Sequence, residues 1–199
     1  MPYSTLYYIR HGETEWNASG RFQGWRDIPL NEKGRAQAVQ AGEILRDLLA
    51  RDGRDHAELP FVTSPLSRAR ETMELVRNAL GATREGYALE ERLRELGFGR
   101  WEGMTLDEMA ADNPEIFEAR NLDKWGVPAP DGESYASLQE RVQLWLGSLA
   151  QDAVVVAHGG TMRALMVARG VKDAASAVEQ YIEQGVVYVF EGGRLAKYG

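Results

Sequence analysis

The chain contains no cysteine, which excludes disulfides, zinc–thiolate sites and a thiol nucleophile. No apolar run approaches the roughly 18 residues that span a bilayer, so no membrane partner is expected. Histidine is scarce, with three in 199 residues. There is no HExxH, no His-x-His and no cluster of aspartates, so no metal is expected. A Walker loop is missing too. In Gly97-Phe98-Gly99-Arg100-Trp101-Glu102-Gly103 the third glycine falls one place too late for a dinucleotide fingerprint, and no cofactor is expected. The lack of cysteine fits a reducing compartment. Met1-Pro2-Tyr3-Ser4 leads into a strand-like run without the basic-then-apolar pattern of an export signal, so a cytoplasmic address is expected.

Lysine is rare: Lys33, Lys124, Lys172 and Lys197 are four of the 23 basic residues, leaving 19 arginines. Arginine's planar fork suits phosphate or carboxylate, although most of these side chains belong to solvated helix faces. A net charge of −7 argues against a nucleic-acid partner, because no face could be broadly basic without strong acidic compensation elsewhere. The length fits one domain over residues 1–199, with 44% hydrophobic and 27% charged residues, an ordinary globular balance.

Periodicity predicts a first strand over Thr5–Ile9, then an aperiodic segment from Gly12 to Leu30 that reads as a functional loop. Asn31 caps a helix with Ala41, Ile44, Leu45, Leu48 and Leu49 on its apolar face. Phe61–Thr63 is a short strand, followed by a helix from about Ser67 to Leu80 that Gly81 ends. Leu89–Gly132 is less regular, with a capping box at Thr105 and Glu108 and a helix start at Pro114. Ser137 with Glu140 supports a helix carrying Leu138, Val142, Leu146 and Leu149. A strand over Ala153–Ala157, helices near Thr161–Arg169 and Ala174–Ile182, and a hairpin around Gly192-Gly193 complete the chain. Strands alternating with helices predict an α/β three-layer sandwich. Its central sheet is mostly parallel, with helices on both faces and an antiparallel edge hairpin.

Two of the three histidines share one local setting: an apolar strand running into His-Gly-x-Thr at His11, and into His-Gly-Gly-Thr at His158. A strand delivering a histidine onto a glycine turn places an imidazole at the carboxyl edge of the sheet, where open α/β sheets bind ligands. Two such strands side by side would bring both rings to one pocket. His56, in the polar stretch Arg51–Glu58, reads as surface. Of the tryptophans, Trp145 reads as helix packing, while Trp25 and Trp101 lie in blocks near the expected site, their roles open.

Arg10-His11-Gly12-Glu13-Thr14-Glu15-Trp16-Asn17 resembles the signature of the histidine phosphatase superfamily, the phosphoglycerate-mutase-like proteins. Further blocks follow in family order: Arg21-Phe22-Gln23-Gly24-Trp25 with Asp27-Ile28-Pro29-Leu30, then Ser64-Pro65-Leu66-Ser67-Arg68-Ala69. Leu93-Arg94-Glu95 with Gly99-Arg100-Trp101-Glu102-Gly103 comes next, and Ala157-His158-Gly159-Gly160 last. The resemblance implies that His11 is a nucleophile passing through phosphohistidine and that Arg10, Arg68 and His158 cradle the phosphoryl group. It further implies that Asn17, Gln23 and the Gly159 amide are additional contacts, and that Glu95 is the general acid, with Glu13 a weaker competitor. Neutral imidazole is a competent nucleophile towards phosphorus, and fixed donors stabilise the charge of the transferring group.

Mutases of this family carry a longer segment between acid and second histidine, with an arginine pair for a substrate carboxylate. Here residues 96–157, 62 in number, separate Glu95 from His158, and their basic residues Arg100, Arg120, Lys124 and Arg141 include no adjacent pair. The expected activity is therefore metal-independent hydrolysis of a small phosphorylated metabolite. The alternatives are a cofactor-dependent phosphoglycerate mutase, a narrow sugar-phosphate or ribazole-phosphate phosphatase, and, outside enzymes, a phosphate-ligand sensor. The sequence leaves the oligomeric state open, a homodimer included.

Overall fold

A computed structural model describes residues 4–199; Met1–Tyr3 of the N-terminal stretch discussed above lie outside it. The first strand, β1 (Leu6–Arg10), is followed by α1 (Glu15–Ala18) and α2 (Glu32–Arg51), then by β2 (Phe61–Thr63) and α3 (Ser67–Ala79). A two-residue strand, β3 (Ala88–Leu89), opens the irregular middle, which contains α4 (Leu106–Asp112) and α5 (Pro114–Leu122). The chain then forms α6 (Tyr135–Ser148), β4 (Ala153–Ala157), α7 (Gly159–Ala168) and α8 (Ala174–Glu179), and ends in the hairpin β5 (Val187–Glu191) and β6 (Arg194–Tyr198).

The six strands form one sheet in the order β3-β2-β4-β1-β5-β6. β3, β2, β4 and β1 run parallel, while β5 pairs antiparallel with β1 and with β6. The alternation of side chains along a strand divides the core in two. Leu6 and Tyr8 of β1 join Ala153, Val155 and Ala157 of β4 in a core shared with α6, α7 and the middle segment. Tyr7, Ile9, Val154 and Val156 face α2 and α3 on the other side. β1 and β4 are buried on both faces, which is why they read as continuous apolar runs. The mixed α/β sandwich expected from the sequence is the observed fold.

Four local expectations need correction. The Gly12–Leu30 segment contains α1, whose capping box uses Asn17 in place of the usual Glu or Gln. The cap of α6 is Ser134, which accepts from the Ser137 N–H, so the Ser137/Glu140 spacing was a decoy one turn inside the helix. α7 starts at Gly159, two residues earlier than the pattern suggested, because glycines carry no hydrophobic signal. α8 ends at Glu179, and Ile182 is buried beyond it without being helical.

Candidate active site

The register of β1 on β4 decides the site. Arg10 pairs with Ala157, and the His11 N–H donates to the Ala157 carbonyl at 2.9 Å. His11 and His158 therefore leave neighbouring parallel strands at the same level, with ring centroids 5.1 Å apart in an edge-on arrangement. β2, on the other side of β4, ends at Thr63 and delivers Ser64, whose Oγ lies 2.7 Å from His158 Nε2. The expected meeting of the two imidazoles at the carboxyl edge is what the sheet produces.

His11 is almost fully buried, and its Nδ1 lies 2.7 Å from the Gly12 carbonyl oxygen. A carbonyl can only accept, so Nδ1 carries the proton and Nε2 presents a free lone pair. Burial, then the charges of Arg68 and Arg10, hold the His11 pKa well below the ordinary imidazole value. His158 is held down likewise by burial and by Arg68. Both rings are thus neutral at pH 7. Gly12 permits this turn by close approach: a Cβ there would collide with the backbone of Gly34 in the first turn of α2.

Depressed imidazole pKa values have a definite sign in stability. The unfolded chain takes up these protons first, near pH 6.5, so their contribution is complete above about 6.5 and is lost as pH falls towards the folded-state values. Imidazole NMR titration of the ligand-free protein is expected to show both rings titrating well below the ordinary imidazole value of about 6.5. A midpoint at or above 6.5 for His11 would contradict the assigned environment.

Among the described residues, no carboxylate is paired to the cations Arg10 and Arg68. Arg68 is fully buried in the first turn of α3, where Nη1 and Nη2 donate to the carbonyls of Arg26 and Gly24. Burial lowers its pKa to about 10, so it stays charged at neutral pH. Arg10 donates to the Ile182 carbonyl at 2.6 Å. What remains unsatisfied is informative: Arg10 Nε, Arg68 Nε and His158 Nδ1 are buried polar atoms without a partner. Leaving such groups unpaired costs about 1–3 kcal/mol each. Orphaned donors around a free imidazole nitrogen, with two unpaired guanidiniums, describe a place for a tetrahedral anion.

The cleft in front of this cluster has a volume of about 370 Å³, and its wall includes Arg10, His11, Asn17, Gln23, Arg68, Glu95 and Gly159. His158 is fully buried at the edge of the cleft, its ring 5.1 Å from that of His11 and its Nδ1 without a partner. Asn17 Oδ1 accepts from the Thr14 N–H and from Gln184, which leaves the Asn17 amide nitrogen for the cleft. The buried Gln23 side chain has its carbonyl oxygen unpaired; an amide flip would present a donor instead. Gly159 lies in the first turn of α7, where free N–H groups and the helix dipole favour an anion.

Glu95 reaches the same cleft from the segment before α4, its Oε1 accepting from the Leu96 N–H at 2.9 Å. Gly160 makes room for it, since a Cβ at that position would run into the Glu95 carboxylate. Glu13, the competitor, turns away: Asn31 and Lys33 donate to its carboxylate and hold its pKa down, with Lys33 the larger influence. A carboxylate kept ionised outside the cleft is a poor proton donor. Of the two carboxylates, Glu95 is the one that lines the cleft.

Arg163 and Arg141 escape a reading of the sequence alone, and Trp25, placed near the site by its block, gains a defined contact. Arg163, one helical turn after Gly159, lines the cleft and would stand 3.6 Å from a Cβ on Gly159, the same distance as Arg10 Nε. That i, i+4 spacing was a usable signal. Trp25, 46% exposed, donates from its indole N–H to the Glu95 carbonyl at 2.8 Å. Arg141, on α6, donates to the carbonyls of Arg92, Arg94 and Glu95 at 2.7–2.9 Å while Glu133 grips its other edge. Trp101 and Trp145 are buried packing, with the Trp101 indole N–H on Asp112.

Arg141 ties down the backbone around Glu95, and would position that carboxyl if Glu95 serves as the acid. Arg141→Met is expected to slow turnover of alkyl phosphates by about 10²-fold, the cost of an ångström-scale misplacement. Aryl phosphates, whose leaving groups need little protonation, should slow far less. Single-turnover rates on the two ester classes check this; equal slowing would reduce Arg141 to a structural support.

Comparison with known proteins accords with the geometry. Residues 6–190 match the histidine phosphatase superfamily (branch 1). The chain belongs to this family. It is 35% identical over 166 residues to "Probable phosphoglycerate mutase GpmB" of Erwinia tasmaniensis, covering 81% of this chain and 72% of that protein. It is 32% identical over 196 residues to the 2,3-bisphosphoglycerate-dependent phosphoglycerate mutase of Brucella anthropi, covering 94% and 91%. Among solved structures, Bacillus stearothermophilus YhfR superposes with a TM-score of 0.76 at 32% identity, covering 96% of this chain and 94% of that one. A candidate alpha-ribazole-5'-P phosphatase from Escherichia coli gives 0.78 at 25% identity, covering 98% and 94%. This member of the histidine phosphatase superfamily thus resembles both proteins named as mutases and one named as a phosphatase.

Proposed function

We propose that this histidine phosphatase hydrolyses small phosphomonoesters through a phosphohistidine on His11. The carrying observation is the His11 ring itself: neutral, its Nδ1–H anchored on Gly12, and its Nε2 free beside two unpaired guanidiniums. In the first step His11 Nε2 forms a bond to phosphorus as the ester oxygen departs, taking a proton from Glu95. In the second, Glu95 takes a proton from water, whose oxygen displaces the imidazole and yields inorganic phosphate. Arg10, Arg68 and the Nδ1–H of His158, the tautomer obtained when the Ser64 hydroxyl donates to Nε2, hold the equatorial oxygens throughout.

Hydrolysis is favoured over mutation by the segment between Glu95 and His158. Three of its four basic residues are paired with carboxylates, Arg100 with Asp112, Lys124 with Glu179 and Arg141 with Glu133, while Arg120 stands alone on the Val127 carbonyl. No arginine pair is offered there to a substrate carboxylate. The mutase reading keeps its weight from the names of relatives. Phosphate release from a metabolite panel, with and without a bisphosphoglycerate primer, separates the two. Primer-independent release supports the hydrolase, whereas primer-dependent isomerisation of a phosphoglycerate, with little release, overturns it. A folded protein that binds phosphate and turns over neither would be a sensor.

Positive charge in the cradle comes from arginines, and among the described residues no three His, Asp or Glu side chains converge as metal ligands. Exhaustive chelation is therefore expected to leave the rate unchanged. A large loss restored by one divalent ion would count against the reading.

A further inference from the structure

Next to the phosphate cleft lies a second chamber of about 210 Å³, and Phe22, Phe98, Tyr135 and Arg163 face both. Its other walls are largely apolar, with Trp101 and Phe117 among them. The aromatic rings are set edge to face: Phe22 on Phe98 with centroids 4.8 Å apart, and Trp101 on Phe117 at 6.3 Å. Tyr135 is held flat against Trp125 at 5.5 Å. Walls of this kind favour a planar apolar guest, which can add further edge or face contacts.

Two cations on the chamber's walls pair with no carboxylate among the described residues, Arg163, which also faces the cleft, and Arg120. Arg120 donates a single hydrogen bond, to the Val127 carbonyl at 2.7 Å, and lies 5.6 Å above the Phe98 ring. Among the described residues it pairs with no carboxylate, whereas neighbouring Lys124 is neutralised by Glu179. Burial pulls its pKa down, as expected of a cation set among apolar groups. A guanidinium offers five N–H donors, and a partly desolvated one is costly unless an anion meets it.

We infer that this chamber receives the alcohol part of the substrate and selects an aromatic phosphomonoester bearing a carboxylate remote from the reacting phosphate, with Arg120 as the carboxylate's partner. The inference rests on the phosphate-binding reading of the cleft and adds to it a substrate class. Short hydrophilic phosphates would leave both the rings and Arg120 unused.

Calorimetry with non-hydrolysable phosphonates tests this without requiring turnover. Propylphosphonate, benzylphosphonate and 4-(carboxymethyl)benzylphosphonate would be compared, with inorganic phosphate as the control for an intact cradle. The ring is expected to tighten binding by about 10-fold through apolar burial, and the carboxylate by a further 10-fold or so through a charge-assisted bond. Arg120→Met should erase the carboxylate's gain and leave the benzylphosphonate and phosphate affinities unchanged. Asn121→Asp, an exposed position on the same chamber, should erase it too by supplying a competing carboxylate; it keeps the test open if Arg120→Met does not fold. Equal binding of propyl- and benzylphosphonate by the wild type would overturn the aromatic selection. Equal binding of the two benzyl ligands would overturn the role of Arg120. Absence of binding by every ligand, phosphate included, would instead overturn the phosphate reading on which the inference stands.

Discussion

His11→Ala is expected to lower turnover by on the order of 10⁶-fold, the scale observed when a residue forming the covalent intermediate is removed. His11 is the only imidazole in the cleft wall with a free ring nitrogen, and no cysteine, whose thiolate would be the obvious substitute, is present in the chain. The substitution removes a ring whose hydrogen bond goes to the neighbouring Gly12 carbonyl and leaves the backbone bond from the residue 11 N–H to Ala157 in place, so the sheet beneath it should persist. Inorganic phosphate should still bind, because Arg10, Arg68 and the first turn of α7 remain. Wild-type protein quenched during turnover should carry an alkali-stable, acid-labile phosphoryl group that the variant lacks. Substantial hydrolysis by folded His11→Ala would falsify the covalent route.

The second large effect concerns Glu95. If its carboxyl protonates the leaving oxygen, Glu95→Gln should slow esters of poorly acidic alcohols by about 10²–10⁴-fold, the usual worth of a general acid, and slow aryl esters far less. Glutamine keeps the side chain's size and its contact to the Leu96 N–H while losing the proton it must give. Phosphate affinity should change little. Single-turnover rates on both ester classes, with inhibition constants for phosphate, make the comparison. An equal slowing of both classes would remove Glu95 as the acid, and Glu13 could take the role only if its bonds from Asn31 and Lys33 first broke.

What the linear sequence determined is whatever local pattern enforces. β1 and β4 were legible because both strands are buried on both faces, so all but the last residue of β1 is buried. His11 and His158 were legible as a pair because each follows such a strand and precedes glycine, and parallel pairing in register sets them side by side. The ordered blocks around Asn17, Gln23, Arg68 and Glu95 placed the remaining residues in one family site, and all four do line the cleft. Where reading by pattern failed, as at the start of α7 and the cap of α6, glycine or a neighbouring serine carried the signal and hydrophobic periodicity was silent.

The tertiary structure alone decided which atoms are free. Arginine occurs 19 times, and the sequence does not show which are spent on carboxylates, as Arg21 is on Glu108, and which, like Arg68 and Arg163, have none among the described residues. Whether a cation is paired depends on residues far away in the chain, as with Arg141 and the segment around Glu95, 46 positions apart. The tautomer of His11, the withdrawal of Glu13 and the chamber beside the cleft have the same origin. Each is a matter of which polar groups remain unsatisfied after packing, and packing is a property of the whole fold.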